Sequence, residues 1–188
     1  MRAIAIVVDG IARIWRVLRL DAAAAKGFGN APGDVWRSYA AAAVGLPLFA
    51  AMLRTSVAAL PSRPSTHFFL VMLLFYVIEW TAWPNLMVTL ARRMNRETFL
   101  CRYLVAYNWL ALAQMAVMMP YQMLALSPAM PWQTMAAIGT AATVAFGVYE
   151  WFIARHALEL SGKSAFGVVL MNLLLGLFLL QIKARMIL

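Results

Sequence analysis

Charge is scarce in this chain. Of its 188 residues only 12% are Asp, Glu, Lys or Arg, against about a quarter in a soluble globular protein. Acid is scarcest, with 7 Asp and Glu against 16 Lys and Arg. A single cysteine, Cys101, excludes an intrachain disulfide and reads as a small side chain in an apolar stretch. The two histidines, His67 and His156, fall at opposite ends of predicted spans. No His-Glu-x-x-His pair, paired aspartates or Ser/His/Asp set accompanies them, so metal centres and hydrolytic triads have no residues to build them. Two fragments imitate nucleotide sites. Ser161-Gly-Lys-Ser164 has Ala157 where a phosphate-binding loop needs glycine, and Gly27, Gly29 and Gly33 have the wrong spacing for a dinucleotide turn. The expectation is a non-enzymatic protein without cofactor or metal.

What fills the chain instead is apolar. Hydrophobic types make up 64% and mean hydropathy is +0.78. A soluble domain of this size has too little interior to hide so much apolar surface. The expectation is therefore an all-α polytopic membrane protein. The net charge of +9 is spread between spans rather than gathered on one face, which argues against nucleic acid and for loops facing a membrane surface. The run Ala3 to Val8 is short and interrupted by Asp9, so the start reads as mature protein rather than as a signal peptide.

Residues 2–20 repeat with helical period. Ile4, Val7, Val8, Ile11, Ile14, Trp15 and Leu18 share one face, with Arg2, Asp9, Arg13 and Arg16 opposite. This predicts an amphipathic interfacial helix, with Arg2, Arg13, Arg16, Arg19 and Trp15 meeting anionic lipid headgroups. A helix packed on the protein's own cytoplasmic face needs the same pattern. Residues 26–33 then form a loop, giving a cytoplasmic unit over 1–34 and a transmembrane domain over 35–188.

Five apolar stretches predict five transmembrane helices, at about 35–53, 67–90, 99–119, 132–154 and 164–182, each near the roughly 20 residues that cross the hydrocarbon. Pro61, Pro64, Pro120, Pro128 and Pro131 are expected between spans, and Pro47 and Pro84 within them. With the N-terminus in the cytoplasm, 12 basic residues lie inside and 4 outside, namely Arg54, Arg63, Lys183 and Arg185, which places the C-terminus outside.

Polar side chains within spans must find partners or water, since a mid-membrane charge costs at least about 3 kcal/mol. Glu79, Arg102, Asn108, Gln114, Glu150 and Asn172 form this set. Depth along each span pairs Glu79 with Asn108, and Arg102 with Glu150. Arg102, Asn108 and Gln114 are successively 6 residues apart, so they point in three directions and make the third span central. Polar glue between helices and an ion or proton path both fit such a set. Gly139, Thr143 and Gly147 form a small-residue stripe suited to close helix packing, against another span or another subunit. Phe75-Tyr-Val-Ile-Glu-Trp80 is also echoed by Phe146-Gly-Val-Tyr-Glu-Trp151.

Several short motifs occur in a characteristic order: Gly33-Asp-Val-Trp-Arg-Ser38, Ala106-Tyr-Asn-Trp109, and Tyr149-Glu-Trp-Phe-Ile-Ala-Arg155 followed by Ala157-Leu158. The order resembles the bacterial branch of the Yip-domain family of small five-span membrane proteins. That resemblance implies five spans and a bacterial inner membrane. Eukaryotic members of the family act in membrane trafficking with Rab GTPases, but their Asp-Leu-Tyr-Gly-Pro loop motif is missing here. The functional expectation is an accessory or organising subunit of a membrane protein assembly, with lipid and other membrane subunits as partners. The alternative is a small transporter or channel using Glu79.

Overall fold

The computed structural model describes residues 2–60, 63–125 and 130–187, with the side chains of residues 2 and 3 outside the described set. Pro61 and Pro128, the lipid contact expected of Arg2 and a C-terminus at Leu188 therefore lie outside what is described. Among the described residues there are helices and turns and no strand.

The amphipathic segment is shorter than its pattern. α1 (Arg2–Val17) stops because Leu20 takes a left-handed backbone, φ 60°, and Asp21 starts a new helix. The Asp21 carboxylate accepts the N–H groups of Ala23 and Ala24, at 2.9 and 3.1 Å, capping α2 (Ala22–Lys26). Those backbone donors, with Arg16 beside them, hold its carboxyl below the ordinary value near 3.8. After a loop, Pro32 opens α3 (Pro32–Ser38) in the first turn, where its missing N–H goes unmissed. α4 (Ala40–Ala58) continues almost without pause. α5 (Thr66–Arg93) is capped by Ser65, and a 3₁₀ turn (Glu97–Phe99) leads to α6 (Leu100–Ala125), α7 (Trp132–Ala157) and α8 (Gly162–Ile187).

Four stretches are long and apolar enough to cross a membrane: Pro32–Ala58, α5, α7 and α8. This marks the chain as a multi-pass membrane protein. Five were expected. α6 has the length, 26 residues, but is not among the four. α1, α3, α4, α5 and α7 all pack on it. Tyr103, Leu104, Val105, Ala106, Asn108, Trp109, Leu110 and Leu112 are buried, a nearly continuous run that shows the first half of the helix enclosed on all sides, while Val117, Met123 and Leu124 further on are exposed. The 6-residue spacing of its polar residues implied this central position. The outer helices face outward with Leu70, Leu74 and Val77 on α5, Val144 and Val148 on α7, and Leu174 and Phe178 on α8. A water-soluble surface rarely carries so continuous an apolar face.

Pro47 and Pro84 lie inside α4 and α5, as expected. Pro120 does not end its helix: α6 runs on to Ala125. Interhelical bonds hold the extra turns, with Tyr121 Oη donating to the Met135 carbonyl at 3.1 Å and Gln122 Nε2 to Ser56 Oγ at 2.6 Å. Neighbouring helices satisfy polar groups near a membrane proline in this way.

Candidate functional site

α8 packs on α5 and α7 rather than closely on α6. The four helices therefore leave between them a cavity of about 640 Å³ that is open to the outside, where Glu79, Thr143, Val144, Leu173 and Leu177 are exposed. Polar and titratable side chains converge on it. Glu79 comes from α5, Tyr107 and Gln114 from α6, Thr143 and Glu150 from α7, and Asn172 from α8. Trp83, Phe146, Val144, Leu173 and Leu177 supply apolar wall. The sequence echo finds its place here: its two glutamates, Glu79 and Glu150, stand on separate walls of the same cavity.

The partners differ from those that depth suggests. Glu79 receives the Lys183 ammonium at 2.6 Å, not Asn108. Lys183, expected as an outer flanking charge, sits within α8 and reaches along the bundle to a carboxylate at another level. Long side chains cancel roughly 10 Å of axial offset, which a depth-only argument ignores. Asn108 is fully buried and donates to Ser38 Oγ at 2.8 Å, because its face of α6 meets α3. Glu150 accepts from Asn172 Nδ2 at 2.9 Å, and Asn172 also approaches Tyr107 Oη at 3.4 Å. Arg102 does not reach Glu150. It snorkels to the end of α7, donating to the Ala157 carbonyl at 2.8 Å and to Glu159 at 3.1 Å. Asn30, missed by the sequence reading, bridges the α6 N-terminus: its side chain accepts the Arg102 N–H and donates to the Thr98 carbonyl.

Of the six expected intramembrane polar residues, Glu79, Gln114, Glu150 and Asn172 line the cavity. Asn108 belongs to the packed core and Arg102 to the loop end of the bundle. Trp83 and Tyr107 were missed because aromatic residues in a span read as packing. Trp83 is fixed by donating its indole N–H to Tyr103 Oη at 2.8 Å. The small-residue stripe serves two neighbours inside the chain: Gly139 lies against Tyr121 of α6, and Gly147 faces Val169 of α8. Thr143 donates to the Gly139 carbonyl at 2.9 Å, lying between them on the cavity wall.

The expected lipid-facing arginines divide as well. Arg13 donates to the Gly27 carbonyl at 2.6 Å and pairs with Asp9, and Arg16 pairs with Asp21. Arg19 lies over the exposed Trp15 ring, 5.2 Å from its centroid. α1 has three faces rather than two. Gly10, Ile14 and Val17 are buried against the protein, Asp9, Arg13 and Arg16 are polar, and Ile4, Val8, Ile11 and Trp15 form an exposed apolar stripe. Gly10 sits directly on the Trp109 ring, where no Cβ fits.

Compared with protein-family models, with curated proteins and with solved structures, the chain matches none. The Yip-domain resemblance therefore rests on its short motifs alone.

Proposed function

We propose that this chain is a small non-enzymatic membrane transporter, built of five spans, that carries its solute through the cavity between α5, α6, α7 and α8. The single observation behind this reading is that two carboxylates from different helices line one cavity among apolar spans. Polar glue needs no cavity, since interhelical hydrogen bonds form best where helices touch. Its volume falls within the roughly 300–1,000 Å³ of small-molecule sites. At 1.5 Å per residue, Glu150 lies about 10 Å from the α7 C-terminal end and Glu79 about 21 Å from the matching end of α5. Gln114 is at about the level of Glu79. The polar groups thus form a ladder along the bundle axis, which is what a solute path requires. This cavity moves the reading from the organising subunit expected from sequence to the transport alternative.

Counting α6 as the fifth span is supported by its neighbours. Arg102, near its start, holds the end of α7, and Tyr121, near its far end, holds the start of α7. The two helices lie antiparallel over their whole length, so α6 crosses whatever thickness α7 crosses. The exposed stripe of α1 fits the headgroup layer while its buried face stays on α6, so the lipid and protein alternatives for this helix are both satisfied at once. The excess of basic residues supports a cytoplasmic position for that layer.

Cysteine accessibility tests the reading. Cys101 is replaced by serine, and single cysteines are placed at Thr143 and Gly176 in the cavity and at Phe178 on the outer face. A membrane-impermeant thiol reagent is expected to label the first two in native membranes and to spare Phe178→Cys. Equal protection of all three would make the cavity dry and remove the transport reading.

A further inference from the structure

We propose that the cavity takes a monovalent organic cation with an apolar body, its charge seated on Glu150, and that Lys183 is a tethered competitor for the second carboxylate, Glu79. The inference rests on the transport reading and names its substrate class.

The charge balance comes first. Two carboxylates line the cavity, and one internal cation reaches them. Glu79 holds the Lys183 ammonium at 2.6 Å. Glu150 forms no ion pair among the described residues, and its partner Asn172 is a neutral donor. A carboxylate among apolar spans is strongly stabilised by a cation beside it, and an incoming ammonium or phosphonium supplies one. With Glu79 already matched by Lys183, Glu150 is the carboxylate open to one incoming cation.

The walls set the rest of the ligand. Trp83, Tyr107 and Phe146 line the cavity, and aromatic faces attract organic cations through the ring quadrupole. Leu173 and Leu177 line the α8 side, where an alkyl or aryl body gains contact. A hard inorganic cation fits poorly. Ca²⁺ takes 6–8 oxygen ligands, and among the described residues no group of three His, Cys, Asp or Glu converges. The volume, about 640 Å³, also exceeds what a bare ion fills.

Lys183 enters through Glu79. Its ammonium occupies the carboxylate as a bound substrate cation would, and lies 5.7 Å from the Phe75 ring centroid. Removing it leaves both carboxylates open, so cation binding should tighten. A lysine with only a structural role predicts the opposite, since its loss would loosen the walls.

The test uses the full chain in nanodiscs with tetraphenylphosphonium as the cationic probe and tetraphenylborate as an anion of the same shape, against empty nanodiscs. Saturable binding of the cation is expected. Glu150→Gln should weaken it roughly ten-fold or more, as loss of a charge-assisted contact does. Lys183→Met should tighten it several-fold. A cavity-filling control guards against misfolded carboxylate variants. A Cβ at Gly176 meets nothing within 4 Å, so Gly176→Leu adds bulk to the cavity without a clash in the backbone. It should abolish binding with unchanged thermal unfolding. Equal or tighter binding of tetraphenylborate that Gly176→Leu still blocks would overturn the cation class and leave the transport cavity standing. Cation binding unaffected by Glu150→Gln, or weakened by Lys183→Met in a well-folded protein, would overturn the assigned roles. Binding of neither probe, with the cavity cysteines also unlabelled, would remove both proposals.

Discussion

Lys183 shows how a single side chain changes meaning once its partner is known. In the sequence it reads as an outer flanking charge that fits the positive-inside rule poorly. In the structure its ammonium meets Glu79 at 2.6 Å, with 21% of the lysine side chain and 49% of the glutamate exposed. The pair is half-open, so its net contribution belongs with exposed pairs and average interhelical bonds, about 1 kcal/mol, rather than with buried ion pairs. Glu79→Gln and Lys183→Met should each lower stability in detergent, and the double variant should cost less than their sum by about 1 kcal/mol. Reversible unfolding of the four proteins measures this coupling. Strict additivity would mean the bridge contributes nothing. At this scale the sequence named most of the cavity's polar residues but misassigned their partners. Depth is one coordinate, and partner choice also depends on the direction each helix turns and on side-chain reach. Asn108 illustrates this: the expected spans put it level with Glu79, yet in the structure it lies about 9 Å nearer the start of α6 and faces α3.

Elements were more legible than contacts. Glycine, proline and apolar length placed α4, α5, α7 and α8 within a few residues, and the spacing of Arg102, Asn108 and Gln114 revealed α6 as central. Pro120 misled because a proline ends a helix in water, whereas here Tyr121 and Gln122 bind α7 and α4 just beyond it. The third face of α1 was hidden for another reason. A two-way division into polar and apolar cannot separate apolar residues that meet protein from those that remain exposed. Gly10 marks the division, since its missing side chain lets the helix rest on Trp109, itself only 2% exposed and unable to yield. Gly10→Val should lift α1 from α6 while leaving the bundle folded. Limited trypsin digestion should then cut after Arg13, Arg16 or Arg19 several-fold faster than in the parent chain, with Gly10→Ala intermediate. An unchanged digestion rate in Gly10→Val would show that α1 is not seated on this ring.

For the whole molecule, the decisive question is whether α6 crosses the membrane, because orientation of everything after it depends on the answer. If α6 crosses, the chain has five spans, the α7–α8 loop with Arg155 and Lys163 is cytoplasmic, and the C-terminus lies outside. If α6 does not cross, α7 and α8 invert, carrying those basic residues outward and the C-terminus inward. The basic residues do not decide this, and the contact of α6 with α7 favours crossing. Basic residues divide 12 to 4 in either arrangement, because Arg155 and Lys163 exchange sides with Lys183 and Arg185. The antiparallel contact of α6 with α7, fixed at both ends by Arg102 and Tyr121, gives the two helices the same thickness to span. The charge on α6 is no obstacle, because Arg102 satisfies it at the loop end, and the Asn108 amide NH₂ donates to Ser38 inside the core. A reporter fused after Leu188 should accordingly be active only on the outer side, and one inserted near Asn95, in the α5–α6 turn, only in the cytoplasm. A third fusion after Ser161, between α7 and α8, should report cytoplasm. A cytoplasmic C-terminus with an external Ser161 fusion would reduce the spans to four, and the α5–α8 cavity would then have to be abandoned as a route across the membrane.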